Sequence, residues 1–304
     1  MQTPYISICI PAYEYDYLLK RCLNSIISQS YYNYEVVITD DSRHDELRSV
    51  VETFNDSRIR YYKNDIPLGS PENWNKSVQL ARGEIIKILH HDDWFSDNQS
   101  LHELAHYFLS DASVKGIFCN FNKADEKGLI PNRPLSTASF DKIVQQPERL
   151  LYANFLGAPS VFTFRRTVLY QFDNRYKWYV DVVYYIHYLI NERNVRYTNS
   201  RLVNVTSNAQ TQVTNTLNKE KKVQELIWAF ERYDFFKKPY YKNFLLFIYI
   251  VEVFKKYNIY KVQLSALSTS SDTVKSLYHC YVASKIPFPY FILSFLRRFI
   301  IKYI

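Results

Sequence analysis

Two adjacent carboxylates, Asp92 and Asp93, follow an apolar run and two histidines, His90 and His91, in the stretch IIKILHHDDWF (residues 85–95). Like charges side by side repel, and burying them without a partner is costly. Such a pair earns its place where a cation or a ligand's hydroxyls offset the repulsion. Mg²⁺ or Mn²⁺ held by one or two carboxylates, with phosphate oxygens and water completing its shell, neutralises a departing diphosphate. A second pair, Asp40–Asp41, ends the run EVVITDD, and a lone carboxylate, Asp181, sits in the aromatic setting KWYVDVVYY. Burial there would raise its pKa toward general-base duty. Each residue also has a plainer reading. Acidic residues at strand-to-helix turns and in first helical turns often cap helices, and strand-end histidines often only pack or hydrogen-bond.

The elements that must position these groups alternate. YISICI (5–10) reads as a strand stopped by Pro11, and from Asp16 the residues Leu18, Leu19, Cys22, Leu23, Ile26 and Ile27 recur with helical period. Strands follow at 35–41, 58–65, 84–91 and 114–121. A polar helical segment separates the first two, a helix from Pro71 to Arg82 with Gly83 as its C-cap comes next, and another begins near Asp97. This βαβαβ order predicts an α/β fold with a mostly parallel sheet flanked by helices. Ligands of such sheets bind beyond the carboxyl ends of the strands, so the two aspartate pairs should meet at one rim. Residues 123–146 read as a loop, a helix starts near Pro147, a turn and strand occupy 157–166, and a helix carrying Asp181 spans about 179–191. Residues 199–218 read as a polar Asn/Thr-rich loop. From Lys219 the pattern is helical almost to the end.

Composition narrows the chemistry. The chain has 304 residues, 47% of them hydrophobic and 17% aromatic, but only five glycines. Neither GxGxxG nor GxxxxGK[ST] occurs, which argues against dinucleotide and P-loop folds; GxSxG, HExxH and CxxC are absent too. The four cysteines, Cys9, Cys22, Cys119 and Cys280, have no metal-ligand spacing and read as free thiols in a reducing compartment. No secretion signal or stretch long enough to span a membrane is evident, and FLLFIYIV (244–251) reads as a buried helix segment. Charge is uneven: residues 219–304 carry 15 Lys/Arg against 6 Asp/Glu, a balance of +9, whereas residues 1–218 carry 23 against 24. A basic C-terminal region facing an anionic partner is expected.

Three blocks, taken together, resemble the family-2 glycosyltransferases, inverting nucleotide-sugar enzymes of the GT-A fold. SICIPAYEYDYLLKRCLNSIISQSYYNYEVVITDDS is similar to the family's opening. NDIPLGSPENWNKSVQLARGEIIKILHHDD, with Gly69, Asn75 and Ala81-Arg82-Gly83, resembles its donor block, and GAPSVFTFRRTVLYQFDNRYKWYVDVVYYIHYL its acceptor block. The resemblance covers residues 5 to about 190. It implies a Rossmann-like GT-A catalytic domain at 1–218, with a nucleotide-sugar half to about 122 and an acceptor half from about 123, followed by a helical C-terminal extension at 219–304. It also implies that Pro11, Ala12 and Tyr13 line the nucleotide base and that Asp41 hydrogen-bonds it. Asn75 belongs to the donor site, Asp92 would lie near ribose and metal, Asp93 would bind Mn²⁺ or Mg²⁺, and Asp181 would deprotonate the acceptor hydroxyl. Three departures stand out: Glu14 stands where the family often has asparagine, His90 occupies a position where it often has aspartate, and the loop NVTSNAQT lacks the histidine that family members often bring to the metal.

The expected partners are a nucleotide sugar, with UDP favoured, and a saccharide or lipid-linked acceptor in polysaccharide synthesis. No nucleic acid is expected, and an oligomer is left open. The expected place is cytoplasmic and peripheral on the inner membrane face. The tail PFPYFILSFLRRFIIKYI (287–304) suits lying in the interface: from Pro289 a 16-residue helix would reach only about 24 Å, short of a ~30 Å hydrocarbon core, and Arg297, Arg298 and Lys302 interrupt it. A sugar nucleotidyltransferase would need a basic, Gly-rich N-terminal loop, which PAYEYDYLLKR is not. A nucleic-acid binder using the basic aromatic region would show steep salt dependence.

Overall fold

The computed structural model describes residues 3–207, 217–237 and 244–286, together with 292, 293 and 295. Two compact units divide the chain, Met1–Pro147 with Asn154–Asn215 and Glu148–Ala153 with Thr216–Ile304. Within the first unit the elements run β1 (Ile6–Ala12), α1 (Asp16–Ile27), β2 (Tyr34–Asp40), α2 (Glu46–Glu52), β3 (Ile59–Lys63), α3 (Glu72–Gln79), β4 (Ile85–Ile88), β5 (Trp94–Phe95) and α4 (Ser100–Ser110). Then come β6 (Gly116–Asp125), β7 (Gly128–Pro131), α5 (Thr137–Gln145), β8 (Phe162–Arg165), α6 (Val180–Asn191) and β9 (Val195–Thr206). The α/β class expected from the alternation is present.

One sheet runs through the unit in the order β3-β2-β1-β4-β8-β6-β9-β5, with β7 paired to β6. The β1–β4 part is wholly parallel. Beyond it β8 runs antiparallel to both β4 and β6, while β9 is parallel to β6. Every residue of β1 and β2 is buried, which is why both are near-continuous apolar runs rather than alternating ones. Their register pairs Ala12 with Asp40, so Tyr13 and Asp41 emerge together at the carboxyl edge. The apolar stripe of α1, Leu18, Leu19, Cys22, Leu23 and Ile26, is buried as its period requires.

Several local expectations are corrected. Pro11 does not stop the first strand, which continues to Ala12. Gly83 is not a cap, because α3 ends at Gln79. Its role is clearance: a Cβ there would lie 2.7 Å from the Ser7 backbone nitrogen, and its N–H donates to Ser7 Oγ at 2.8 Å. The 123–146 loop contains β7 and α5. Residues 199–206 of the expected polar loop belong instead to strand β9; residues 208–216 lie outside the described residues.

The second unit is helical, as expected: α7 (Lys219–Arg232), α8 (Phe244–Tyr257), the short α9 (Leu264–Leu267) and α10 (Ser271–Ser284). The rings of Phe230, Phe235 and Tyr249 gather around Tyr152, within 6.0 Å centroid to centroid. All four cysteines are buried, and none is in a disulfide. Among the described residues no helix is long and apolar enough to cross a membrane. The tail 287–304 lies almost wholly outside the described residues.

Candidate active site

At the carboxyl edge of β1, β2 and β4 the first unit opens into a cleft of about 630 Å³, within the size range of small-molecule sites. Pro11, Ala12 and Tyr13 form one wall, where β1 ends. The chain leaves β1 through Glu14 and Tyr15, both left-handed at φ 53° and 54°, a conformation uncommon away from glycine. The Glu14 N–H is held by Ser42 Oγ at 2.6 Å. This turn leaves Tyr13 and Tyr15 about half exposed, with both residues lining the cleft.

Asp41 lines the same cleft but is also a loop organiser. Its Oδ1 accepts from Asn64 Nδ2 at 2.7 Å and from the Leu68 N–H at 2.8 Å, and its Oδ2 from the Gly69 N–H at 2.6 Å. Gly69 adopts φ +75° there, which glycine takes without steric cost. Asp40 turns the other way. It is fully buried and engages Lys63 Nζ at 3.1 Å and the Tyr61 hydroxyl at 2.5 Å, so only one member of that pair faces the cleft.

The second pair sits between β4 and β5. Ligand-capable atoms of His90, Asp92 and Asp93 all lie within 4.8 Å of one another. Asp93 is buried, and its Oδ1 accepts from the Thr206 N–H at 2.8 Å. Burial, then the neighbouring Asp92 charge, push the Asp93 carboxyl well above the ordinary range; Ser160, Thr206 and Lys87 pull the other way. Burial draws His90 down to about 4, so its ring is neutral at pH 7 with a lone pair to offer. Its Nε2 is buried without a hydrogen-bond partner, while its ring packs on Trp74 at 4.6 Å. Two crowded carboxylates beside an orphaned imidazole nitrogen are a donor set that suits a divalent cation. His91 also lines the cleft, and its Nε2 is likewise unpartnered.

Asp181 enters from the far side of the sequence, in the first turn of α6, and lines the same cleft. Its Oδ2 accepts from Asn154 Nδ2 at 2.8 Å and its Oδ1 from the Val182 N–H at 2.8 Å. Burial raises its pKa to about 6, against the lowering effect of those hydrogen bonds. Lys177 and Trp178, just upstream, complete this wall, and Lys177 Nζ donates to the Ser70 carbonyl at 2.6 Å.

Of the residues singled out from sequence, Pro11, Ala12, Tyr13, Asp41, Asp92, Asp93 and Asp181 therefore meet in one cleft. Asn75 does not. It is buried, and its amide spans the Phe172 backbone, donating to the carbonyl at 2.9 Å and accepting from the N–H at 2.8 Å. Asn73, two residues earlier, lines the cleft instead. Trp74, Lys177, Trp178 and Thr206 line the cleft as well, without a mark in the sequence. A lone tryptophan, lysine or threonine has no partner spacing to mark it.

A model of glycosyl transferase family 2 matches residues 7–172. Among curated relatives, the chain is 32% identical over 162 residues to a putative colanic acid biosynthesis glycosyl transferase, WcaA, of Escherichia coli, covering 53% of this chain and 57% of that one. It is 31% identical over 93 residues to WfgD of E. coli, a UDP-Glc:alpha-D-GlcNAc-diphosphoundecaprenol beta-1,3-glucosyltransferase, covering 30% and 37%. The matches thus span little more than half of these relatives, or less. The fold is similar to that of S. aureus TarS in complex with UDP-GlcNAc, with a TM-score of 0.62, 14% identity, and 92% and 89% of the two chains covered.

Proposed function

The chain belongs to glycosyl transferase family 2, and from that premise we propose that it moves a sugar from a nucleotide diphosphate onto a hydroxyl, with inversion at the anomeric carbon. The favoured donor is a UDP-sugar and the favoured acceptor a saccharide carried on a lipid diphosphate. One observation carries this reading: the Asp92–Asp93 turn and Asp181, about ninety residues apart in sequence, line one cleft together with the end of β1. The UDP-glucose and diphosphoundecaprenol in the name of WfgD, and the UDP-GlcNAc bound to TarS, support the substrate classes.

Each residue then has a task. Pro11, Ala12 and Tyr13 wall the nucleotide base, and Asp41 holds the 67–69 loop beside it with acceptor capacity left for the base edge. Asp93, Asp92 and His90 would hold Mn²⁺ or Mg²⁺, which supplies charge neutralisation at a diphosphate. Asp181 accepts the proton of the acceptor hydroxyl. A single displacement requires that base on the face of the sugar opposite the leaving group, which accounts for its coming from a different segment than the acidic turn. A carboxyl with pKa about 6 is ionised at pH 7 yet basic enough to share a proton. Asn154 and Val182 fix its orientation.

The test is direct. UDP-sugars are incubated with Mn²⁺ and a diphosphoundecaprenol-linked saccharide, and the product is read by NMR. The reading expects acceptor-dependent UDP release and a β-linkage from an α-configured donor. A retained anomer, or no acceptor-dependent release with any donor, contradicts it.

A further inference from the structure

Arg21 lies beneath the acidic turn rather than in the cleft: it is absent from the cleft's lining. Its guanidinium stacks over the Trp94 ring at 3.7 Å. Its Nη2 donates to the Asp92 carbonyl at 2.6 Å and reaches Thr206 Oγ1 at 3.2 Å. Thr206 closes the circuit, its hydroxyl donating to the same carbonyl and its N–H to Asp93 Oδ1 at 2.8 Å. One side chain from α1 thereby ties the turn after β4 to the end of β9.

Such a placement is costly. The guanidinium is partly desolvated, and its Nε is buried with no hydrogen-bond partner, a penalty a merely structural fastener would not need. Moreover, α1 and the turn that follows it already have other fasteners to this segment. Ser25 Oγ accepts from the Phe95 N–H at 3.1 Å, and Gln29 Nε2 donates to the Asp97 carbonyl at 2.6 Å. What Arg21 adds is a fixed cation behind two like charges and a flat, bidentate-capable plate that both stacks and bridges, which lysine cannot reproduce.

We propose that Arg21 is a positioning residue for the cation site: by fixing the Asp92 carbonyl and the Thr206 hydroxyl, it sets the direction in which the Asp92 and Asp93 carboxylates face the cleft. This rests on the reading that those carboxylates hold a divalent cation. Groups one step behind metal ligands orient them, and their loss typically costs about 10- to 100-fold in metal affinity.

The experiment titrates Mn²⁺ into the full chain by electron paramagnetic resonance, for wild type, Arg21→Met, Arg21→Lys and Asp93→Ala. Melting of the metal-free proteins is measured alongside, as is UDP binding in EDTA. Asp93→Ala should lose Mn²⁺. Arg21→Met, similar in length and apolar, should bind Mn²⁺ roughly 10- to 100-fold more weakly, with Arg21→Lys between it and wild type. Metal-free melting and UDP binding in EDTA should stay close to wild type for both Arg21 variants. Unchanged Mn²⁺ affinity in Arg21→Met overturns the assignment; so does parallel loss of melting temperature, UDP binding and Mn²⁺, which marks a structural fastener. If wild type itself binds no Mn²⁺, the cation site fails and the role of Arg21 falls with it.

Discussion

At the scale of single residues, Asp181 has the most to distinguish it. Its carboxyl titrates near 6 because burial disfavours the charge. As the base it should produce an acid limb in turnover, with rate falling as pH drops through about 6. Asp181→Asn keeps the shape and removes the proton acceptor, so turnover should fall by ~10²–10⁴-fold while UDP binding survives. The stability sign is opposite to that of an ion-paired carboxylate. A raised folded pKa means that its contribution is fully present below the unfolded value, near 4, and is lost as pH rises through about 6. The neutral asparagine escapes that loss, so the variant should melt no lower than wild type at pH 7.5. A turnover left untouched would reduce Asp181 to a first-turn helix residue.

At the scale of elements, the strand ends position the site, and close backbone approach positions the strand ends. Gly83 lets the turn before β4 press onto β1. An alanine Cβ would meet backbone atoms of Ser7 and Ile6 at 2.7–2.9 Å, and backbone moves less readily than a side-chain tip. Gly83→Ala should therefore lower the urea midpoint by an amount equivalent to about 1–3 kcal/mol. An unchanged midpoint would mean that β1 and β4 are looser than drawn. The apolar runs β1, β2 and β4 were legible because strands buried on both faces have little choice of residue. β9 was not. Its Asn and Thr residues resemble a loop, yet the buried Asn204 accepts from Asn122 Nδ2 at 2.9 Å, and Thr206 serves Asp93. Polar side chains satisfied inside a sheet lose the alternation that marks a strand. Asn75 was misplaced for a related reason: an asparagine beside a cleft and one that splices two backbones look alike until the partner is seen.

At the scale of the whole chain, charge and chemistry are segregated. The cleft residues all belong to the first unit, whereas the excess positive charge belongs to residues 219–304. With a lipid-linked acceptor, that basic, aromatic region is proposed to dock on anionic membrane, at roughly 1 kcal/mol for each Lys or Arg near the surface. The intact protein should float with anionic liposomes at low salt, and a chain ending at Ser284 should not; equal behaviour of the two would count against docking through the tail. The first unit's proposed work lies in the cleft, where Asp92 and Asp93 would hold a nucleotide diphosphate through a divalent cation. Calorimetric titration of UDP into wild type and Asp93→Ala, each with Mn²⁺ and with EDTA, tests it most directly. Wild type should bind UDP tightly with Mn²⁺ and lose most of that affinity in EDTA, and Asp93→Ala should bind weakly in both conditions. Equal UDP affinity across all four titrations would contradict it.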